Sequence, residues 1–304
     1  PKFYEDLVLV HSFQNVGCYS SKEVASIDGS GVKFKDGSSA ELSNRLILNM
    51  GKGEIRLLLL DEASPNLDYS QTSKNFDFDF VENYDIEVLN NGCEIVPSPD
   101  QKCHVHARGD GLFIGILEAF CENNKLTIRF KDKEDNNFNS KQQNQIKVEL
   151  PCAVVKNANV RLNGSGELVS EIGKAETGRI AVNGSGTIKM LDFDTVSVAI
   201  NGSGCMEAQN AEKAELVING SGSMTWQGIG ELSAVINGSG EMEIDNLTVA
   251  NINVNGSGDL TLAKINDGGE MTVKIAGSGD ITIKEGYCKK LDFTISGSGD
   301  IDAK

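Results

Sequence analysis

The tetrapeptide Asn-Gly-Ser-Gly recurs at Asn163–Gly166, Asn183–Gly186, Asn201–Gly204, Asn219–Gly222, Asn237–Gly240 and Asn255–Gly258, and variants follow at Ala276–Gly279 and Ser296–Gly299. Successive copies begin 20, 18, 18, 18, 18, 21 and 20 residues apart. So constant a period means one small unit stacked on itself, since no single unit of that size can bury an apolar face alone. Each turn is flanked by apolar residues in strict alternation, as in Val198-x-Ile200 before one copy and Met224-x-Trp226 after another. Period two predicts strands with one buried face. The turn supplies residues that tolerate positive φ, so the chain corners between strands without a Cβ clash. A coil of 18 residues leaves no room for a crossover helix.

These features predict parallel coils about 4.8 Å apart, and seven steps between eight turns give a rod of roughly 34 Å. Leu162, Val182, Ile200, Ile218, Ile236, Val254, Ile275 and Ile295 would line one internal column, and Met190, Ala208, Trp226, Ile244, Leu262 and Ile283 another. Trp226, the only tryptophan, belongs to that column, which favours core packing over a sugar-stacking platform. No proline follows Pro151, as a hydrogen-bonded ladder requires. The expected fold class is therefore all-β, with an irregular N-terminal β region leading into a solenoid.

Upstream, segments 77–81, 84–89, 125–130 and 145–150 read as strands, Asn90-Asn91-Gly92 as a turn and 132–145 as a polar loop. Apolar residues at Leu112, Ile116 and Phe120 suggest a short helix within 111–123. Strands are expected at 45–50 and 55–60, with Asp28-Gly29-Ser30-Gly31 as a degenerate copy of the turn. The expected organisation is an additional β segment at 1–73, a β cap region at 74–150 and the solenoid at 151–304.

Charge narrows the function. The formal net charge is −16, with 16 basic against 24 acidic residues in 1–150 and 12 against 20 in 151–304, so neither half is a nucleic-acid footprint. The longest apolar run, Leu57–Leu60, is far too short for a membrane helix. Residues 1–12 lack the basic start and apolar stretch of a signal peptide. The seven cysteines contain no CxxC pair; Cys93 and Cys103, flanking a proline-containing loop in an expected hairpin, could form a disulfide in an oxidising compartment, although idle thiols are the stronger expectation.

The order of motifs resembles a known family. Tyr84-Asp-Ile-Glu-Val88, Leu126-Thr-Ile128 and Ile146-Lys-Val-Glu-Leu-Pro151 lead into Val160-Arg-Leu-Asn-Gly-Ser-Gly-Glu-Leu168, and later repeats end in Gly-Ser-Gly-Asp-Ile, at 277–281 and 297–301. Over about residues 75–304 the chain resembles the auto-transporter adhesin, head GIN-domain proteins. The resemblance implies a right-handed single-stranded parallel β-helix with an N-terminal β cap, an extracellular or cell-surface location and no catalytic residues. Residues 1–73 and the seven cysteines depart from that pattern.

Candidate sites follow from the repeat and its flanks. Asn163, Asn183, Asn201, Asn219, Asn237 and Asn255 should stack as a structural ladder of amides hydrogen-bonded along the rod. The position after the turn is acidic at Glu167, Glu241, Asp259, Asp280 and Asp300; stacking the last four would bring carboxylates together in a stripe able to recruit Ca²⁺, though a solvated flank that resists aggregation is the stronger expectation. No other cofactor is expected. His104 and His106 share a strand face beside Cys103, a weak metal pattern without a third ligand. Arg108-Gly109-Asp110 spells an adhesion tripeptide in an expected turn, and three residues recur often by chance. Six turns are also Asn-x-Ser sequons, with a seventh at Asn246-Leu-Thr248, which turn chemistry alone explains.

The sequence thus points to a non-enzymatic structural or adhesive surface protein, a rigid rod presenting polar edges to a matrix, carbohydrate or protein partner. The competing class is a carbohydrate-binding or polysaccharide-processing β-helix; near-minimal coils and only Arg161 and Arg179 after residue 150 leave little for a catalytic cleft. A third is a self-assembling filament subunit, a homo-oligomer joined through an open last coil, Phe293–Ala303.

Overall fold

A computed structural model describes residues 7–12, 15–20, 24–28, 31–34, 39–41, 46–51, 54–59, 72–109, 111–131 and 144–303. The chain divides into two compact units, Pro1–Gln71 and Thr72–Lys304.

Among its described residues the first unit holds two antiparallel sheets. One orders its strands as Asn15–Ser20, Leu7–Ser12, Leu46–Gly51 and Glu54–Leu59; the other is a meander of Val24–Asp28, Gly31–Phe34 and Ser39–Glu41. Val24–Asp28 and Gly31–Phe34 pair antiparallel with Asp28 opposite Gly31, as the strands of a hairpin do. Gly29 and Ser30, the centre of the degenerate turn expected at Asp28–Gly31, lie outside the described residues.

The second unit is a β-solenoid. From Val154 onward each coil pairs in parallel with the next, and the turns align residue for residue: Asn163 with Asn183, Asn201 with Asn219, Asn237 with Asn255. The alternating pattern puts every second side chain inside. Leu162, Val182, Ile200, Ile218, Ile236, Val254 and Ile275 are at most 2% exposed and form one column. Met190, Ala208, Trp226, Ile244, Leu262 and Ile283 form the second, also buried. Burying each large aliphatic side chain contributes about 1.5–3 kcal/mol, so the columns are the main stabilising element. Ile295 departs from the expectation at 43% exposed, because the strand beyond its coil, Ile301–Ala303, pairs only with Ile281–Ile283. Leu291 and Phe293 are exposed for the same reason.

The regular coils rest on an irregular one. Asn83–Leu89 and Gly92–Pro97 form a coil whose corner is Asn90-Asn91, and its first strand pairs in parallel with Val154–Gly164. In later coils the serine N–H at the corner donates to a glycine carbonyl below, as Ser185 does to Gly164. Here Ser165 N–H donates instead to Oδ1 of Asn90, whose φ is 51°. A side-chain carbonyl thus replaces a main-chain one, and asparagine tolerates the left-handed backbone better than most residues. Buried Glu87 does the same for the ladder, accepting from Nδ2 of Asn163 at 2.9 Å.

Two groups of strands, both continuous with the sheet of the coils, close this end. The hairpin Leu117–Glu122 and Lys125–Phe130 adds to Asn83–Leu89. Thr72–Phe78, Cys103–Gly109 and Gln145–Leu150 lie side by side, and Gln145–Leu150 then pairs in parallel with Gly92–Pro97. A single helical turn, Gly111–Ile116, precedes the hairpin and sends Phe113 into the core against Phe130. This is the short helix expected within 111–123, and it ends at Ile116. Leu117–Glu122 is instead a strand, because its edge pairs with Lys125–Phe130.

Candidate binding surface

The cap sheet presents a polar outer face whose side chains follow from register. Across the strands run Asn75, His106, Lys147 and Glu94 in one row, and Ser73, Arg108, Gln145, Gly92 and Glu167 in the next. Gly92 leaves a gap in its row where its neighbours carry long side chains. Around that gap lies an open groove of about 600 Å³, lined by His106, Arg108, Gln145, Lys147, Glu94 and Glu167 among others.

The groove is held by specific contacts. Arg108 donates from Nη2 to Oε1 of Gln145 at 3.1 Å and makes no ion pair with any described carboxylate, leaving most of its guanidinium fork open to solvent. Lys147 is paired with Glu149 at 2.8 Å, which raises the lysine pKa and lowers that of Glu149. His106 Nδ1 lies 3.1 Å from Oδ1 of Asn75, and its ring stacks on that of His104 at 6.1 Å between centroids. His104 lies between two carboxylates, with Nδ1 2.7 Å from Asp77 and Nε2 3.0 Å from Asp100. Hydrogen bonds to Asp77, then to Asp100, raise its pKa above the ordinary histidine value. Asp100 falls to about 2, chiefly through His104, with the Lys102 N–H and the Ser98 hydroxyl adding to the effect. The two imidazoles are therefore bound to separate acceptors. Among the described residues no cluster of three or more His, Cys, Asp or Glu is arranged to hold a metal.

The structure places the other candidates as follows. Nδ2 of Asn183, Asn201, Asn219, Asn237 and Asn255 each donates to Oδ1 of the asparagine one coil below, at 2.9–3.0 Å. In the acidic stripe, Asp259 accepts the backbone N–H of Asp280, and Asp280 that of Asp300, both at 2.9 Å. Glu241 stands in register with Asp259 one coil earlier. The expected adhesion turn is corrected at its first two residues: Arg108, which is exposed, and Gly109 end the strand Cys103–Gly109, Gly109 is buried, and a β-carbon there would meet Oδ1 of Asn144 at 2.2 Å. Strand pairing draws these two residues into the sheet, Arg108 on both edges and Gly109 on one, and Asp110 lies outside the described residues.

Cys93 and Cys103 are free thiols, the stronger of the two expectations, and the alternative disulfide is ruled out by their placement. Gln145–Leu150 lies between their strands, with Cys93 abreast of Ile146 and Ala107, and Cys103 four residues further along its strand. That offset, about 13 Å along and 9.6 Å across, far exceeds the Cα separation of a disulfide. Both thiols are buried, and burial pushes each up to about 12. Cys121, Cys152, Cys205 and Cys288 are free as well.

The sequence reading singles out His106, Arg108 and Glu167 separately, and sets Gly92, Cys93, Ile146 and Lys147 in a turn or in strands, without joining any of them into one surface. Lys147 and Glu94 alternate outward on their strands like many polar residues, and only the strand order brings them together.

With this geometry, the comparisons with known proteins are specific. The family model described as "Putative auto-transporter adhesin, head GIN domain" matches residues 85–263 and 232–304. The chain belongs to this family. Its β-solenoid is shared with a putative adhesin from Parabacteroides distasonis, at 18% identity and a TM-score of 0.60 over 78% of this chain and 98% of that one. A putative adhesin from Parabacteroides merdae gives 18% identity and 0.61 over 77% and 96%. A putative lipid binding protein from Parabacteroides distasonis gives 21% identity and 0.50 over 77% and 96%. At these identities the likeness is one of fold. No curated protein matches the chain by sequence. Among the described residues, no helix is long and apolar enough to cross a membrane.

Proposed function

We propose that this head GIN-domain protein is a non-enzymatic adhesion module of the cell surface, in which a stiff solenoid carries the cap-sheet groove toward a carbohydrate, matrix or protein partner. The observation that carries the reading is the groove around Gly92, built on one continuous sheet with the coils in a family described as adhesins. An open guanidinium at Arg108 beside the Gln145 amide, with Lys147 and Glu94 in the next row, offers hydrogen-bond donors and acceptors to a polar ligand. Strands hold these groups, so little ordering is needed on binding.

The test is binding of the full chain to glycan and matrix-protein arrays, repeated with Arg108→Ala and with Lys147→Ala. Loss of binding in a folded variant supports the groove; unchanged binding in both moves the site elsewhere. Release of reducing sugar from any polysaccharide would overturn the non-enzymatic reading and favour polysaccharide processing.

Self-association is a second reading, favoured by the exposed Tyr287, Leu291, Phe293 and Ile295 on the last long strand, Ile281–Gly297. Light scattering tests it: a concentration-dependent mass that Phe293→Asp abolishes supports it, and a strict monomer rejects it.

A further inference from the structure

We propose that, among the six Asn-Gly-Ser-Gly turns, Asn255 is the preferred site of spontaneous deamidation, and that the asparagine ladder keeps the other five chemically intact. Asparagine followed by glycine is the dipeptide most prone to this reaction, because glycine leaves its own backbone nitrogen unshielded. The chain carries six such turns with the same following residues, Gly-Ser-Gly. Their intrinsic reactivity is therefore nearly equal, and differences among them report the fold.

The fold does not treat them equally. Asn183, Asn201, Asn219 and Asn237 each donate through Nδ2 to the coil below and accept through Oδ1 from the coil above. Asn163 is held at both ends too, donating to Glu87 and accepting from Asn183. Asn255 donates to Asn237 at 3.0 Å, but the residue in register above it is Ala276, whose methyl offers no donor. Among the described residues nothing donates to Oδ1 of Asn255. Its carboxamide is held at one end and, beside a methyl group, has room to rotate. The Asn91-Gly92 pair is protected differently: Asn91 is 4% exposed, accepts the Leu89 N–H and donates to the Gly92 carbonyl.

In the reaction the Gly256 nitrogen loses its proton to solvent base and attacks Cγ of Asn255. The N–Cγ bond forms, the Cγ–Nδ2 bond breaks, and Nδ2 departs as ammonia with a proton from water. One water then opens the succinimide at either carbonyl to give aspartate or isoaspartate. Nothing is oxidised or reduced, and water is the only co-reactant. Attack requires the carboxamide to swing toward the main chain, so each ladder bond that must break slows it.

The experiment is incubation of the full, folded chain near pH 9, with peptide mapping that separates aspartate and isoaspartate at each turn. A sample unfolded in urea supplies the reference, in which all six sites react at similar rates. In the folded chain Asn255 is expected to react at least about fivefold faster than the inner five, the factor that one net hydrogen bond contributes. Equal rates at Asn255 and the inner sites overturn the proposal. A second arm uses Ala276→Asn, which adds a donor above Asn255. In the folded variant Asn255 should slow to the inner rate while the new amide at position 276 becomes the fastest site. An Asn255 rate unchanged in that variant rejects the ladder as the cause.

Discussion

A β-carbon on Gly220 would lie 2.5 Å from the carbonyl oxygen of Gly202, one coil below, and both glycines have φ near +126°. Two independent costs thus meet at one corner: a left-handed backbone and a main-chain contact with no room to yield. The first alone is worth about 1–2 kcal/mol for an L-residue. Gly220→Ala should therefore lower the thermal midpoint by several degrees or more, whereas Ser221→Ala, at the exposed next position, should stay within about 0.5 kcal/mol of the parent. Thermal unfolding of the two variants side by side checks this, and equal midpoints would refute the tight corner.

Trp226 stands in the buried column between Ala208 and Ile244, with its ring 6.2 Å from that of Phe193. The small Ala208 makes room for it, so truncation leaves a cavity that rigid coils cannot close. Trp226→Ala is expected to cost about 3–5 kcal/mol. Trp226→Phe should cost clearly less, because much of the volume remains and the buried Nε1 has no hydrogen-bond partner to lose among the described residues. Chemical denaturation of both variants measures the difference.

His104 and Asp100 tie the 98–102 loop to the cap sheet with opposite pH dependences. The His104 pKa is raised on folding, so its contribution is fully present below the unfolded histidine value, near 6.5, and is lost as pH rises through the folded one. The Asp100 pKa is depressed to about 2, so its contribution is present above the unfolded aspartate value, near 4, and is lost as pH falls through about 2. The attachment should be strongest between roughly pH 4 and 6.5. Titration of the His104 ring by NMR should give a midpoint above the ordinary value that drops in Asp100→Asn; a midpoint at or below the ordinary value would contradict the clamp.

Millimolar calcium is expected to leave the thermal midpoint unchanged within about a degree. Asp259 and Asp280 each already spend a carboxylate oxygen on the backbone N–H of the next aspartate. These bonds give the acidic stripe a structural role in the corner. A calcium-induced rise of several degrees, absent in Asp280→Asn, would instead assign the stripe to the cation.

Most of the solenoid was legible because its information is local. The spacing of the Asn-Gly-Ser-Gly turns and the alternation around them determine which residues stack, and Leu162 through Ile275 lie in the column so predicted. The cap was not legible in the same way. Gln145–Leu150 inserts between strands that precede it by some fifty residues, and nothing near Cys93 or Cys103 announces that intruder. The groove inherits this limit, since His106, Lys147 and Glu94 meet only through that strand order. The irregular first coil left a fainter trace: Asn90-Asn91-Gly92 reads as a turn, but that Asn90 offers its side-chain oxygen in place of a glycine carbonyl depends on the coil above it.

One coil takes 21 residues, from Asn255 to Ala276, where the four before it take 18. The surplus is absorbed where the register slips, between Leu247 and Val249 on one strand and around Ile265–Glu270 on the next, while the Asn-Gly-Ser-Gly corner stays in step. Growth in this architecture is thus channelled: one corner fixes the pitch of the rod, and another accommodates insertions. New loops, and any recognition chemistry they brought, could accumulate at the permissive corner over evolutionary time without the stack losing count.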